Sequence, residues 1–245
     1  MRLIDLSTTI AEAPDRPNPK IDYIDHRRTA LERAEQQGMS PEQFPIPYIH
    51  FASERLTAVV HATATHVDAP FHYGPECEGK PARTIDQLPL EWFYGDGVVL
   101  DFSQQQDGGV LTAADVERAL DGYPLKPFDI VLVRTDLDKS DDPRKFSRLR
   151  ELSRDSVGYL LDRGVKVIGI DSISPDKGHF DEVRAGNPQA MYQAHMYGRE
   201  REFCFVEILT NLHLLPHHGF QVSLFPVKIE HGSGGWCRAV AFLPD

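Results

Sequence analysis

The chain has 245 residues, 41% hydrophobic and 26% charged, with 18 glycines and 18 prolines, a balance that points to a folded soluble protein and excludes fibres and disordered tails. Lysine and arginine number 26 against 37 acidic residues, so the net charge of −11 has the wrong sign for a protein that binds nucleic acid by neutralising phosphates. No stretch reaches the roughly 18 apolar residues of a membrane span; the first ten residues lack a signal-peptide core, and Cys77, Cys204 and Cys237 are too scattered for a disulfide framework or a thiolate zinc site. A cytoplasmic protein is expected, with neither nucleic acid nor membrane as a partner.

Residues 2–6 read as a short opening strand, followed by a proline- and charge-rich stretch, 13–47, with one helix over 29–37. Residues 56–65 are rich in β-branched side chains and predict a strand running into Thr65-His66-Val67-Asp68-Ala69-Pro70, where the proline marks its end or an edge. Another strand is expected over 97–102. Thr112, with Asp115 three residues on, offers a capped helix start for 112–120. An apolar run over 129–134, a helix over 153–163 closed by Gly164 and a second apolar run over 165–170 form one βαβ unit, so part of the sheet is parallel. Residues 202–209, 220–229 and 237–242 read as strands. Gly232-Ser233-Gly234-Gly235 lacks the setting of a dinucleotide loop and reads as a tight turn. With no linker or repeat in view, the expectation is a single α/β domain over 1–245 with a mixed sheet.

Imidazole is the commonest metal ligand and the usual acid or base near neutral pH, so the eleven histidines carry the search for function. The densest cluster is His61, His66, Asp68 and His72. In an extended segment the side chains of His66 and Asp68 share a face and make half of a metal site. His72, four residues past Asp68 across a proline, can reach the same cavity as a general base; the plainer reading of the segment is an exposed polar loop. Glu207 stands alone in the apolar run Phe203-Cys204-Phe205-Val206-Glu207-Ile208-Leu209, where burial demands a cation or hydrogen bonds, so it is either a ligand or an arginine-paired core residue. His195 taken alone is a surface helix histidine, and only the combination makes it a candidate. Asp171 and Asp176 follow the 165–170 strand, where each serves either to orient a ligand histidine or to cap a turn. Trp92, Phe71 and Phe51 are aromatic-pocket candidates, with core packing as the alternative. The remaining histidines read as surface or turn residues. GxSxG, HExxH and Walker patterns are missing, and Cys204 has no base beside it in sequence.

Thr65-His66-Val67-Asp68-Ala69-Pro70-Phe71-His72 resembles the HxGTHxDAPxH signature of the cyclase family that includes bacterial arylformamidase and isatin hydrolase. Supporting likeness runs through Ile4-Asp5-Leu6-Ser7, residues 129–135, Gly169-Ile170-Asp171-Ser172, residues 207–212 and Phe225-Pro226-Val227-Lys228. The resemblance implies a swivelling β/β/α fold, usually a homo-oligomer, and a divalent Zn2+ or Mn2+ held by His66, Asp68, His195 and Glu207. It gives His72 to proton transfer, and it implies metal-dependent hydrolysis of an amide-type C–N bond in a small formamide, cyclic amide or imide. A metal-dependent cyclase or dehydratase and a non-catalytic ligand-binding protein are the alternatives. One departure bears on them: the family's first ligand histidine falls at Ala62, with His61 one position earlier, and a one-residue slip in a strand reverses the face unless a bulge re-aims it.

Overall fold

The apolar runs of the middle third form the centre of a nine-stranded mixed sheet. Across it the strands run Arg2–Asp5, Val240–Leu243, Phe220–Ser223, Tyr94–Asp101, Ile130–Arg134, Val167–Ile170, Cys204–Glu207, His66–Asp68 and Gly234–Trp236. The four from Tyr94–Asp101 to Cys204–Glu207 are parallel, and the flanking strands pair antiparallel. The structure, a computed structural model, describes residues 1–12, 19–43, 50–142 and 144–244. Its contacts divide into two units, residues 1–9 with 64–245 and residues 10–63.

In the larger unit the expected βαβ crossover is present: Ile130–Arg134 leads through helix Arg154–Leu161 to Val167–Ile170. A second joins Tyr94–Asp101 to Ile130–Arg134 through Ala113–Ala119. Both helices start as the sequence predicts. The Thr112 hydroxyl accepts from Asp115 N–H at 3.2 Å while the Asp115 carboxylate accepts from Thr112 N–H at 2.9 Å, and the Ser153 hydroxyl accepts from Ser156 N–H at 3.0 Å. Gly164, at φ +87°, turns the chain where a Cβ would meet Pro127 Cα at 2.8 Å. Strand alternation sorts the core onto two faces. Ile130 and Leu132 pack with Trp92, Phe93 and Val206 on one, and Val131 and Val133 pack with Val157, Leu160 and Phe205 on the other.

The strand His66–Asp68 ends just before Pro70, as expected, and Pro70 opens the one-turn helix Pro70–Tyr73, where its missing N–H costs nothing. The glycine run is only partly a turn, because Gly234–Trp236 is the strand that pairs with His66–Asp68. A Cβ on Gly235 would stand 2.4 Å from the Val227 carbonyl, so glycine lets this edge approach.

In the 10–63 unit, Lys20–Ile24 pairs antiparallel with Ser53–Thr57, and the helix spans His26–Gln37, three residues earlier than expected because Asp25 caps it by accepting from Arg28 N–H at 2.8 Å. The expected strand over 56–65 is interrupted. Val60–Ala62 forms a 3₁₀ turn, closed by the Thr63 hydroxyl donating to the Val59 carbonyl at 2.5 Å. Much of the proline-rich stretch, 13–18 and 44–47, lies outside the described residues. Among the described residues no helix is long and apolar enough to cross a membrane.

Candidate metal centre

The strand His66–Asp68 is buried along its whole length. His66 and Asp68 project to one face two residues apart, and Glu207 stands opposite His66 in the pairing register, so all three side chains meet. His66 Nε2 lies 3.3 Å from Asp68 Oδ1 and 3.6 Å from Glu207 Oε2. Helix Gln193–Tyr197 supplies His195, whose Nε2 is 3.2 Å from Glu207 Oε1 and 3.7 Å from Asp68 Oδ2. His66, Asp68, His195 and Glu207 are thus brought together from three elements. Each imidazole is fixed through its other nitrogen: His66 Nδ1 meets the Ala64 carbonyl at 2.8 Å, and His195 Nδ1 meets Asp176 Oδ1 at 2.6 Å.

His72 sits at the rim. It is exposed on the turn Pro70–Tyr73, its ring 5.9 Å from that of His195, and Asp68, His72 and His195 each offer one ligand atom within 4.8 Å of the others.

Charge explains what the arrangement requires. Burial pulls both imidazoliums down, yet the carboxylates around them hold His66 above its ordinary value and His195 well above it, with Asp68 foremost for the first and Asp176 for the second. Burial and then repulsion from Asp68 push the Glu207 carboxyl up to about 7, against the pull of the two histidines. The carboxylates of Asp68 and Glu207 face the Nε2 atoms of both imidazoles. Glu207 Oε1 is buried, 3.2 Å from His195 Nε2, and with Nδ1 of His66 turned to a carbonyl, its Nε2 faces two carboxylates. Two imidazole nitrogens and two carboxylates converging in this way fit a divalent cation.

Asp176 fills both roles left open for it: its Oδ2 accepts from the N–H groups of Ala194 and His195 at 2.7 and 3.0 Å, capping the helix whose histidine it orients. Asp171 is structural, since its carboxylate accepts from the N–H groups of Thr135 and Asp136 and from the Thr135 hydroxyl. His61 lies in the 60–62 turn and not in a strand, so strand parity does not govern where it points. Trp92 is core, with Arg83 4.8 Å above its ring, while Phe71 and Phe51 are exposed. Tyr73 was missed by sequence reasoning. It is buried, accepts from Phe205 N–H at 2.8 Å and sets its ring 5.6 Å from that of His195; its place directly after His72 was the available signal.

The family model described as "Putative cyclase" matches residues 4–177, and the chain belongs to this family. His195 and Glu207 lie beyond the matched span. Among characterised relatives, isatin hydrolase of Roseibium aggregatum is 29% identical over 195 residues, covering 74% of this chain and 72% of that protein. Kynurenine formamidase of Bacillus cereus is 28% identical over 191 residues, covering 76% and 78%. Among solved structures, isatin hydrolase A of Ralstonia solanacearum superposes with a TM-score of 0.72 at 24% identity, over 99% of this chain and 92% of that one, a likeness of fold.

Proposed function

We propose that the protein, acting over its whole length 1–245, hydrolyses an amide-type C–N bond in a small formamide, cyclic amide or imide, using a divalent Zn2+ or Mn2+ held by His66, Asp68, His195 and Glu207. The observation that carries this reading is the convergence of those four side chains with the buried Glu207 oxygen turned into their midst. Hydrolase names among the relatives support the class of bond.

When bound, the ion supplies Lewis acidity, polarising a carbonyl and lowering the pKa of water from about 15.7 toward about 7. The chain's own residues do the rest. Asp68 and Glu207 offset the ion's charge, and His66 and His195 present Nε2 in orientations fixed by Ala64 and Asp176. His72, exposed beside His195, takes a proton from the attacking water and returns it to the leaving nitrogen, so that water adds OH to the carbonyl carbon and H to the nitrogen. A homo-oligomer is part of the proposal, as the family resemblance implies. The cytoplasm is its compartment, which the widely spaced, free Cys77, Cys204 and Cys237 support.

The test is a panel of N-formyl aromatic amines, fused lactams and cyclic imides offered to protein loaded with Zn2+ or Mn2+. Metal-dependent turnover of at least one class is expected; no turnover by fully loaded protein overturns the hydrolase reading.

A further inference from the structure

The residue after Glu207 adopts a backbone conformation that its side chain disfavours. Ile208 has φ +59°, where the Cβ of an L-residue crowds the neighbouring carbonyl and a β-branched side chain is a genuine outlier. Such a conformation persists only where the surroundings over-determine it. Here both peptide groups of the residue are held. Ile208 N–H donates to the Ser172 carbonyl at 2.8 Å, and the Ile208 carbonyl accepts from the Thr65 hydroxyl at 2.6 Å, with the Thr8 hydroxyl 3.4 Å away. The two threonines are paired reciprocally, Thr8 N–H donating to Thr65 Oγ1 at 2.8 Å and Thr65 N–H donating to Thr8 Oγ1 at 3.0 Å. Thr65 is buried at 1% exposure.

The chain beyond is tied down as well. Leu209 N–H donates to the Ile170 carbonyl and Thr210 N–H to the Leu6 carbonyl, each at 3.0 Å. A return of Ile208 to negative φ would break these bonds or shift the peptide that joins it to Glu207, whose side chain faces His66 and His195.

We infer that Thr65 and Thr8 clamp Ile208 in its left-handed step and thereby aim the Glu207 carboxylate into the centre. Thr65 and Ile208 are positioning residues that act through Glu207. The inference rests on the reading of Glu207 as a metal ligand, and it adds a device in which strain next to a ligand is held by a hydroxyl pair.

The experiment compares T65V, T65S, I208G, I208A and the double variant T65V/I208G, reading Zn2+ affinity by titration and unfolding midpoints without metal. T65S keeps the affinity. T65V, which has the shape but not the hydroxyl, weakens it at least about tenfold. The double variant recovers to within about threefold of I208G, because glycine holds positive φ without a clamp. Independently of metal, I208G unfolds about 2–8 °C above I208A, the reverse of the order at an ordinary position. A double variant as weak as T65V overturns the clamp, as does an alanine variant at least as stable as the glycine one. Should T65V not fold, the glycine and alanine pair still decides the strain. Wild-type protein that binds no Zn2+ overturns the ligand reading instead, leaving the midpoint order to test the strained step.

Discussion

Asp176 Oδ1 lies 2.6 Å from His195 Nδ1, and the other oxygen of the same carboxylate caps the helix that carries His195. One buried side chain therefore sets both the place and the tautomer of a proposed ligand. Replacing it with asparagine can keep one oxygen for Nδ1–H, but it removes the charge that raises ligand basicity and turns an NH2 toward the Ala194 and His195 N–H groups that Oδ2 accepts from. Metal affinity of D176N is expected to fall about 10- to 100-fold while the fold persists, as read by metal titration and near-UV circular dichroism.

Glu207 separates stability from function. Its carboxyl is pushed up to about 7 by burial and by Asp68. An acid whose folded pKa is raised binds its proton more tightly when folded, so Glu207 contributes a loss of stability to metal-free wild-type protein as pH rises from about 4.5 to about 7. E207Q does not titrate. It is expected to lose metal, yet at pH 8 its metal-free form should be more stable than metal-free wild type by on the order of 1–3 kcal/mol. That advantage shrinks toward pH 5, and denaturant unfolding with chelator at both pH values checks the sign.

His72 offers the opposite separation. It sits exposed at the rim, outside the buried quartet, so H72A should lower turnover about 100- to 10,000-fold with metal stoichiometry near that of wild type. Metal loss in this variant would make His72 a ligand instead.

Gly198 tests how the His72 turn is held. A Cβ there would stand 2.0 Å from Tyr73 Cδ2, and Tyr73 is anchored through Phe205 N–H on the strand that bears Glu207. G198A is expected to cost about 1–3 kcal/mol by overpacking. That corresponds to a midpoint about 2–12 °C lower in a thermal scan, with turnover falling more than metal content because Tyr73 adjoins His72.

How far these features were legible in the sequence follows from their physics. His66 and Asp68 could be paired because strand geometry puts alternate residues on one face, and Glu207 stood out because a lone carboxylate in an apolar run demands an explanation. The βαβ crossover followed from two apolar runs and a helical segment closed by Gly164. Other features escaped for definite reasons. The strand Lys20–Ile24 is mostly exposed, Tyr23 included, so its side chains carry no clean burial alternation. The turn over Val60–Ala62 arises from hydroxyl and amide bonds to nearby carbonyls inside a β-branched run whose composition says strand. Ile208 is the clearest case: isoleucine favours extended backbone, and Thr65, 143 positions away in sequence, its partner Thr8 and the Ser172 carbonyl hold it otherwise.

The central claim is that His66, Asp68, His195 and Glu207 hold a divalent cation, and elemental analysis of protein purified after growth with zinc and manganese tests it most directly. The account predicts about one equivalent of metal or more per chain, stripped by chelator with a drop in the unfolding midpoint. Less than about 0.2 equivalents, with no midpoint change on adding either metal, would contradict it.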